Sequence, residues 1–157
     1  MSASPTTFTV RHGSGLSGAE LLVEIRVGGE DVQPHVPHTS NVAVVRWLER
    51  IAQLHTDVLG FPRERLLAER RMWFVARHEI DYLAETWCDE ELLAATSVRD
   101  LERVKSWRDT VIRRRSDDRI VVRAATLWVL VDLDSRRPTR HTPEMCAALT
   151  PASIRAR

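Results

Sequence analysis

The chain has 157 residues, of which 43% are hydrophobic, and its 23 basic and 22 acidic side chains leave a net charge of +1. This length suits one domain with a substantial hydrophobic core, and the balanced charge argues against a nucleic-acid or membrane partner. The apolar runs are too short to span a bilayer, and the first residues lack the pattern of a signal peptide. We therefore expect a cytoplasmic protein. Its two cysteines, Cys88 and Cys146, lie far apart in the sequence without the spacing of metal ligands, and we expect both to be reduced thiols.

The first residues differ in composition from the rest of the chain. Residues 1–18 are rich in Ser, Thr and Gly, which predicts a flexible N-terminal segment. From Glu20 an alternating apolar pattern runs to Gly28 and Gly29, which predicts a first strand and its end. We expect a single folded domain over residues 19–150, followed by a tail over 151–157.

A long helix is predicted after this strand. Ser40 and Asn41 are both good N-caps, and Gly60 provides the C-terminal stop. Between them apolar residues recur at steps of three and four, which is typical of a helix that is covered along most of its length.

The remainder of the chain favours strands. A short helix is expected from Pro62 and a closing helix over Pro143–Leu149. Between them lie four long apolar or alternating segments separated by short polar turns: Arg71–Leu83, Leu92–Val104, Ser106–Arg115 and Ile120–Leu133. The predicted fold class is α+β, with the long central helix wrapped by a curled antiparallel sheet of about five strands.

Four segments resemble one enzyme superfamily. The Trp73–Tyr82 and Cys88–Leu92 segments are similar to the second and third strands of acyl-CoA and acyl-carrier-protein thioesterases of the hotdog fold, a group that includes 4-hydroxybenzoyl-CoA thioesterase-like enzymes. Val122–Asp132 resembles the last strand of that superfamily, and Arg46–Glu49 resembles its helix. The resemblance implies hydrolysis of an acyl-CoA or acyl-carrier-protein thioester, and assembly as a homodimer or homotetramer. It implies no cofactor beyond the coenzyme A or phosphopantetheine of the substrate, and no metal.

Two carboxylates are candidates for the chemistry. The resemblance places Asp31 where related enzymes carry their catalytic aspartate, whereas Glu49 lies two turns into the predicted helix. Either one can activate water or attack the thioester carbonyl. His35 is a third catalytic candidate.

The start of the helix is a candidate oxyanion site, since its backbone N–H groups favour developing negative charge. This hypothesis makes Ser40 and Asn41 substrate-binding candidates, and Trp47 is a candidate for the acyl pocket.

Two alternatives remain open. His35, Val36 and Pro37, followed by Glu49 fourteen residues after His35, resemble the site of hotdog hydroxyacyl dehydratases. A non-catalytic acyl-binding hotdog protein is the other.

Overall fold

A computed structural model describes residues 3–11 and 20–150. Within these residues the strands are β1 (Thr7–Arg11), β2 (Glu20–Arg26), β3 (Arg71–Tyr82), β4 (Glu91–Leu101), β5 (Lys105–Arg114), β6 (Ile120–Asp132) and β7 (Arg137–Pro138). The helices are α1 (Asn41–Val58), α2 (Arg63–Ala68) and α3 (Pro143–Leu149), and a short 3-10 turn covers Gly29–Asp31. None of these helices is both long and apolar enough to cross a membrane.

The strands form one antiparallel sheet in the order β1-β2-β4-β5-β6-β3, and β7 pairs with β6. Register shifts interrupt β3 between Val75 and Arg77 and β4 between Val98 and Asp100. Bulges of this kind bend a strand and increase its twist, so the sheet curls around α1. The predicted hotdog architecture is confirmed.

Helix α1 begins and ends close to where the sequence predicts. The Ser40 hydroxyl accepts a hydrogen bond of 3.0 Å from the backbone N–H of Ala43, so Ser40 is the N-cap. Gly60, at φ 92°, has the left-handed conformation that favours glycine and ends the helical segment. The buried face of α1 joins the main core, which it shares chiefly with residues of β2, β4 and β6.

The predicted N-terminal segment differs from the structure. Instead of a flexible stretch over residues 1–18, Thr7–Arg11 form β1, which pairs with β2 from Thr7↔Arg26 to Arg11↔Leu22. The physical reason is that Phe8 and Val10 pack against the main core. Residues 12–18 and the predicted tail over 151–157 lie outside the described residues.

The long strands are close to their predicted bounds. The largest difference is in β4, which ends at Leu101 rather than Val104 because residues 102–104 form the connection to β5. The sheet has more strands than the expected five, since β1 is added at the edge beside β2 and the two-residue β7 pairs with β6.

Candidate active site

A cavity of about 720 Å³ lies between α1 and the inner face of the sheet, where β3 forms the sheet edge. Its walls come from α1, α2, β3, β5 and β6. The α1 residues that line it follow helical spacing along one side of the helix: Arg46, Glu49, Arg50, Ala52, Gln53 and Thr56. The cavity therefore runs along α1.

Glu49 is the one carboxylate among the residues that line this cavity. In the part of the chain that the structure describes, its carboxylate makes no hydrogen bond or ion pair, since Arg46 pairs with Asp31 and Arg50 donates to Gln53. Neither arginine forms an ion pair with Glu49. Its oxygens are available to a ligand.

Asp31 lies elsewhere and is 3% exposed. Its Oδ2 accepts hydrogen bonds of 2.6 Å from both the Trp47 indole N–H and the Thr6 hydroxyl, and its Oδ1 pairs with Arg46. Burial raises the pKa of this carboxyl, but the hydrogen bonds from Thr6, Trp47 and Arg46 together outweigh burial and hold the pKa below its usual value. Asp31 is thus a saturated, ionised group that ties the segment before α1 to the helix.

The other predicted site residues, like Asp31, are not among the described residues that line the cavity. His35 is exposed in the loop before α1, Ser40 caps the helix, and Asn41 is its exposed first residue. Trp47 is 1% exposed and belongs to the main core, so the expectation that it lines the acyl cavity is not met. The structure brings Glu49 to the cavity and leaves these four outside it.

Two residues of the sheet were missed as site candidates. His78 on β3 shares a hydrogen bond of 2.9 Å with the Thr126 hydroxyl. Burial lowers the pKa of His78, and the negative charge of Glu49 opposes this effect. Arg108 on β5 lines the cavity and is 6% exposed. The sequence signal for Arg108 is its position in the strand. Every second residue of β5 faces inward, and Arg108 lies on the same face as the buried Thr110 and Ile112.

The charged lining of the cavity is mostly positive. Arg46, Arg50, Arg63 and Arg108 contribute four guanidinium groups against the single carboxylate of Glu49. Arg50 and Arg63 are exposed. The basic run Arg113–Arg115 is not among the residues that line the cavity, and two of its arginines have acidic partners: Arg114 pairs with Glu90, and Arg115 pairs with Glu24.

Comparison with known proteins places the chain in a family. The family described as acyl-ACP thioesterase N-terminal domain matches residues 23–149. No curated protein sequence matches the chain.

Solved structures with the same architecture include three thioesterases. A 1,4-dihydroxy-2-naphthoyl-CoA thioesterase from Synechocystis has a TM-score of 0.78 at 13% identity, over 85% of this chain and 98% of its own. The 12:0-ACP thioesterase from Umbellularia californica has a TM-score of 0.71 at 18% identity, over 84% of this chain and 51% of its own. An acyl-ACP thioesterase from Bacteroides thetaiotaomicron has a TM-score of 0.69 at 18% identity, over 78% of this chain and 49% of its own. The chain thus spans about half the length of the two acyl-ACP thioesterases.

A curled antiparallel sheet around one central helix, with a cavity along that helix, defines a hotdog-fold protein, and the solved structures share this fold. The family match extends over most of the chain. The chain therefore belongs to the acyl-ACP thioesterase N-terminal domain family.

Proposed function

We propose that this protein hydrolyses an acyl thioester to a free acid and a thiol, and that Glu49 is the catalytic carboxylate. The observation that carries the proposal is that Glu49 lines the cavity beside α1 without a hydrogen-bonding or ion-pairing partner among the described residues. Asp31 is less suited to the chemistry, because both of its oxygens already accept hydrogen bonds. Family membership supports the reaction class.

Glu49 has two routes to the products. As a general base it takes a proton from water, whose oxygen attacks the thioester carbonyl carbon; the C–S bond then breaks and the thiolate leaves and takes up a proton. As a nucleophile its carboxylate attacks the carbonyl carbon, the C–S bond breaks and the thiolate leaves, and water then hydrolyses the mixed anhydride to the free acid and the Glu49 carboxylate. After a single turnover in ¹⁸O-labelled water, label in the Glu49 carboxylate establishes the nucleophilic route, because only attack by water on the Glu49 carbonyl of an anhydride puts it there.

The positive charge of the exposed cavity lining supports a substrate that carries phosphate. Arg50 and Arg63 are exposed there, and guanidinium groups bind phosphate oxygens well. Coenzyme A and the phosphopantetheine of an acyl carrier protein both bring phosphate to the thioester. The substrate supplies this group itself, so the proposed step uses no separate cofactor.

The test is thiol release over a panel of acyl-CoA and acyl-carrier-protein thioesters by the wild type and by Glu49→Gln. We expect a loss of kcat of at least about 100-fold in the variant, the usual range for removing a general base. Glu64→Gln is the matched control, since Glu64 is an exposed carboxylate of α2 outside the cavity. Undiminished turnover by a folded Glu49→Gln protein overturns the assignment.

We further propose a homodimer formed through β3. This strand is 12 residues long and forms the edge of the sheet, so the outer hydrogen-bonding groups of its backbone face no other strand of residues 3–11 and 20–150. Phe74 and Tyr82 on it are 47% and 46% exposed. Pairing β3 with its copy satisfies the edge and covers these side chains.

The proposed dimer also affects which protomer supplies the oxyanion site. The backbone N–H groups of Asn41 and Val42 donate to no described residue. Within one protomer, however, Glu49 lies eight residues further along α1, which is about 12 Å at 1.5 Å per residue. A thioester carbonyl held by the start of a helix and attacked at Glu49 therefore needs the two groups from different protomers.

Mixed dimers test this arrangement. Asn41→Pro removes one N–H at the first helical position, where proline fits a helix, and Ser40 already has the extended conformation that precedes proline. Co-expressed Asn41→Pro and Glu49→Gln chains should regain activity that neither has alone, because one site of the mixed dimer then has both groups intact. Absence of recovery in purified mixed dimers contradicts the two-protomer site.

The alternative functions predict other products. A hydroxyacyl dehydratase needs His35 and Glu49 together, and within one protomer His35 is not among the described residues that line the cavity of Glu49. Water loss from a 3-hydroxyacyl thioester without thiol release would nevertheless establish it. Binding of the whole panel without turnover would instead show an acyl-binding protein.

A further inference from the structure

Arg108 is a buried cation without a carboxylate partner. Its Nη1 donates to His55 Nδ1 at 2.7 Å and to the Thr96 hydroxyl at 3.2 Å, both uncharged acceptors in this arrangement. No Asp or Glu among the described residues forms an ion pair with it. Burial lowers the pKa of Arg108 to about 10, so the group still carries its charge at neutral pH.

The guanidinium has a free edge. Its Nε and Nη2 donate to no described residue, and the side chain lines the cavity. Two parallel N–H groups on one edge of a guanidinium match the two oxygens of a carboxylate. The free edge is therefore the part of Arg108 that is available to a ligand.

Two neighbouring donors also lack acceptors. Among the described residues, the Trp128 indole nitrogen is the one buried side-chain nitrogen or oxygen without a hydrogen-bond partner. Ser106 is a buried residue, and its hydroxyl makes no hydrogen bond to the described residues. Ser106 pairs with Trp128 across β5 and β6, and Arg108 lies two residues from Ser106 on the same face of β5. All three side chains line the cavity. A buried indole N–H normally has an acceptor, so the Trp128 donor, which lines the cavity together with the Ser106 hydroxyl and the free edge of Arg108, indicates that a ligand supplies one.

The position of this cluster relates it to the proposed reaction. Arg108 binds His55, which lies six residues beyond Glu49 on α1, about 9 Å further along the helix axis. A thioester held at Glu49 would extend its acyl group along the cavity toward Arg108. The far end of that acyl group is then the part that meets the three donors.

We propose that Arg108, Trp128 and Ser106 form a subsite for a carboxylate at the far end of the acyl group, so that the preferred substrate is an ω-carboxyacyl thioester of medium length. This inference rests on the proposed thioesterase function. A terminal carboxylate neutralises the buried charge and accepts from all three donors. A terminal methyl group leaves that charge without a counter-ion after water has been displaced, which disfavours the plain fatty acyl group.

The experiment compares octanoyl-CoA with its counterpart in which a carboxylate replaces the terminal methyl group. For the wild type we expect kcat/KM to be about 10- to 100-fold higher for the carboxylated thioester, the range expected of hydrogen bonds to a charged group. Arg108→Met should abolish this preference, and Arg108→Lys, which keeps the charge but loses the fork, should retain part of it. Arg99→Gln is the matched control: it removes an exposed arginine on the outer side of the same sheet and should keep the wild-type ratio.

The outcomes separate this inference from the proposed function. If the wild type releases thiol from neither substrate nor from the rest of the panel, the proposed function fails. If it hydrolyses both but prefers octanoyl-CoA or shows no preference, the carboxylate subsite is wrong. An equal loss for both substrates in Arg108→Met also overturns it, because Arg108 then supports the fold or the reacting group instead.

A binding measurement on the unmodified protein covers the case in which the Arg108 variants do not fold. Calorimetry with the two matching S-alkyl-CoA thioethers, which cannot be hydrolysed, should show at least about tenfold tighter binding of the carboxylated one. Equal affinities would overturn the proposal.

Discussion

The Trp47 indole donates a hydrogen bond of 2.6 Å to Asp31, which joins the turn before α1 to the buried face of that helix. Thr6 adds a second hydrogen bond from the segment before β1. Asp31 therefore holds three parts of the chain together at the start of α1. The two acids that the sequence offered as alternatives have separate positions, with Asp31 in a closed network and Glu49 at the cavity.

This separation predicts opposite effects for two matched substitutions. Asp31→Asn should lower the free energy of unfolding by about 1.5–3 kcal/mol, because an amide replaces a carboxylate that accepts from three donors. Its activity per folded molecule should stay close to that of the wild type. Glu49→Gln should have little effect on stability but a large effect on turnover. Urea unfolding and thiol release on the same samples measure both, and a stable, inactive Asp31→Asn protein would contradict this division.

Asp31 should also make stability depend on pH. Its pKa in the folded state lies below the usual value near 3.8, so the unfolded chain binds the proton more readily. The stabilising contribution is therefore fully present above about pH 3.8 and is lost as the pH falls through the lower folded-state value. Unfolding curves should be measured at a series of pH values from neutral to below pH 3.8. The free energies of unfolding of the wild type and of Asp31→Asn should converge as the pH falls below 3.8. A constant difference across that range would mean that Asp31 does not titrate as described.

Gly28 predicts a third result through its close contact with the N-terminal segment. A Cβ at this position would lie 2.3 Å from backbone atoms of Ser4 and Pro5, whereas one at Gly29 would have no contact closer than 3.5 Å. Gly28→Ala should therefore displace residues 4–6 and weaken the Thr6 hydrogen bond to Asp31, while Gly29→Ala should be tolerated. Thermal unfolding of the two variants is the measurement. A melting temperature for Gly28→Ala equal to that of Gly29→Ala would show that this segment moves at no cost.

The proposed β3 dimer predicts a change of mass in solution. Replacing Phe74 and Tyr82 together by Lys places two charges on the strand edge, where like charges from two copies would meet. We expect the wild type to have the mass of a dimer or of a tetramer built from dimers, and the double variant to have that of a monomer. Light scattering after size-exclusion chromatography measures this. Val58→Lys is the control, because Val58 is equally exposed at the far end of α1 and should leave the mass unchanged; a monomeric wild type would end the dimer proposal.

Local sequence signals were enough to predict most of the fold. The cap at Ser40, the stop at Gly60 and the alternating strands each depend on interactions within a few residues, and all are present. The strand β1 was missed because its stabilisation is not local. It depends on pairing with β2 and on the packing of Phe8 and Val10 against the main core. Its five residues do alternate in polarity, but they are few and are flanked by residues rich in Ser, Thr and Gly.

The sequence by itself determined the helix, the long strands and a short set of possible catalytic acids, because periodicity and capping are written in neighbouring residues. Only the tertiary structure separated the positions of the two acids and showed Arg108 at the cavity. Asp31 meets Trp47 sixteen residues away, and Arg108 meets His55 across fifty-three. Such contacts arise when the sheet curls over α1, so which polar groups are saturated and which are left facing a cavity is a property of the folded chain.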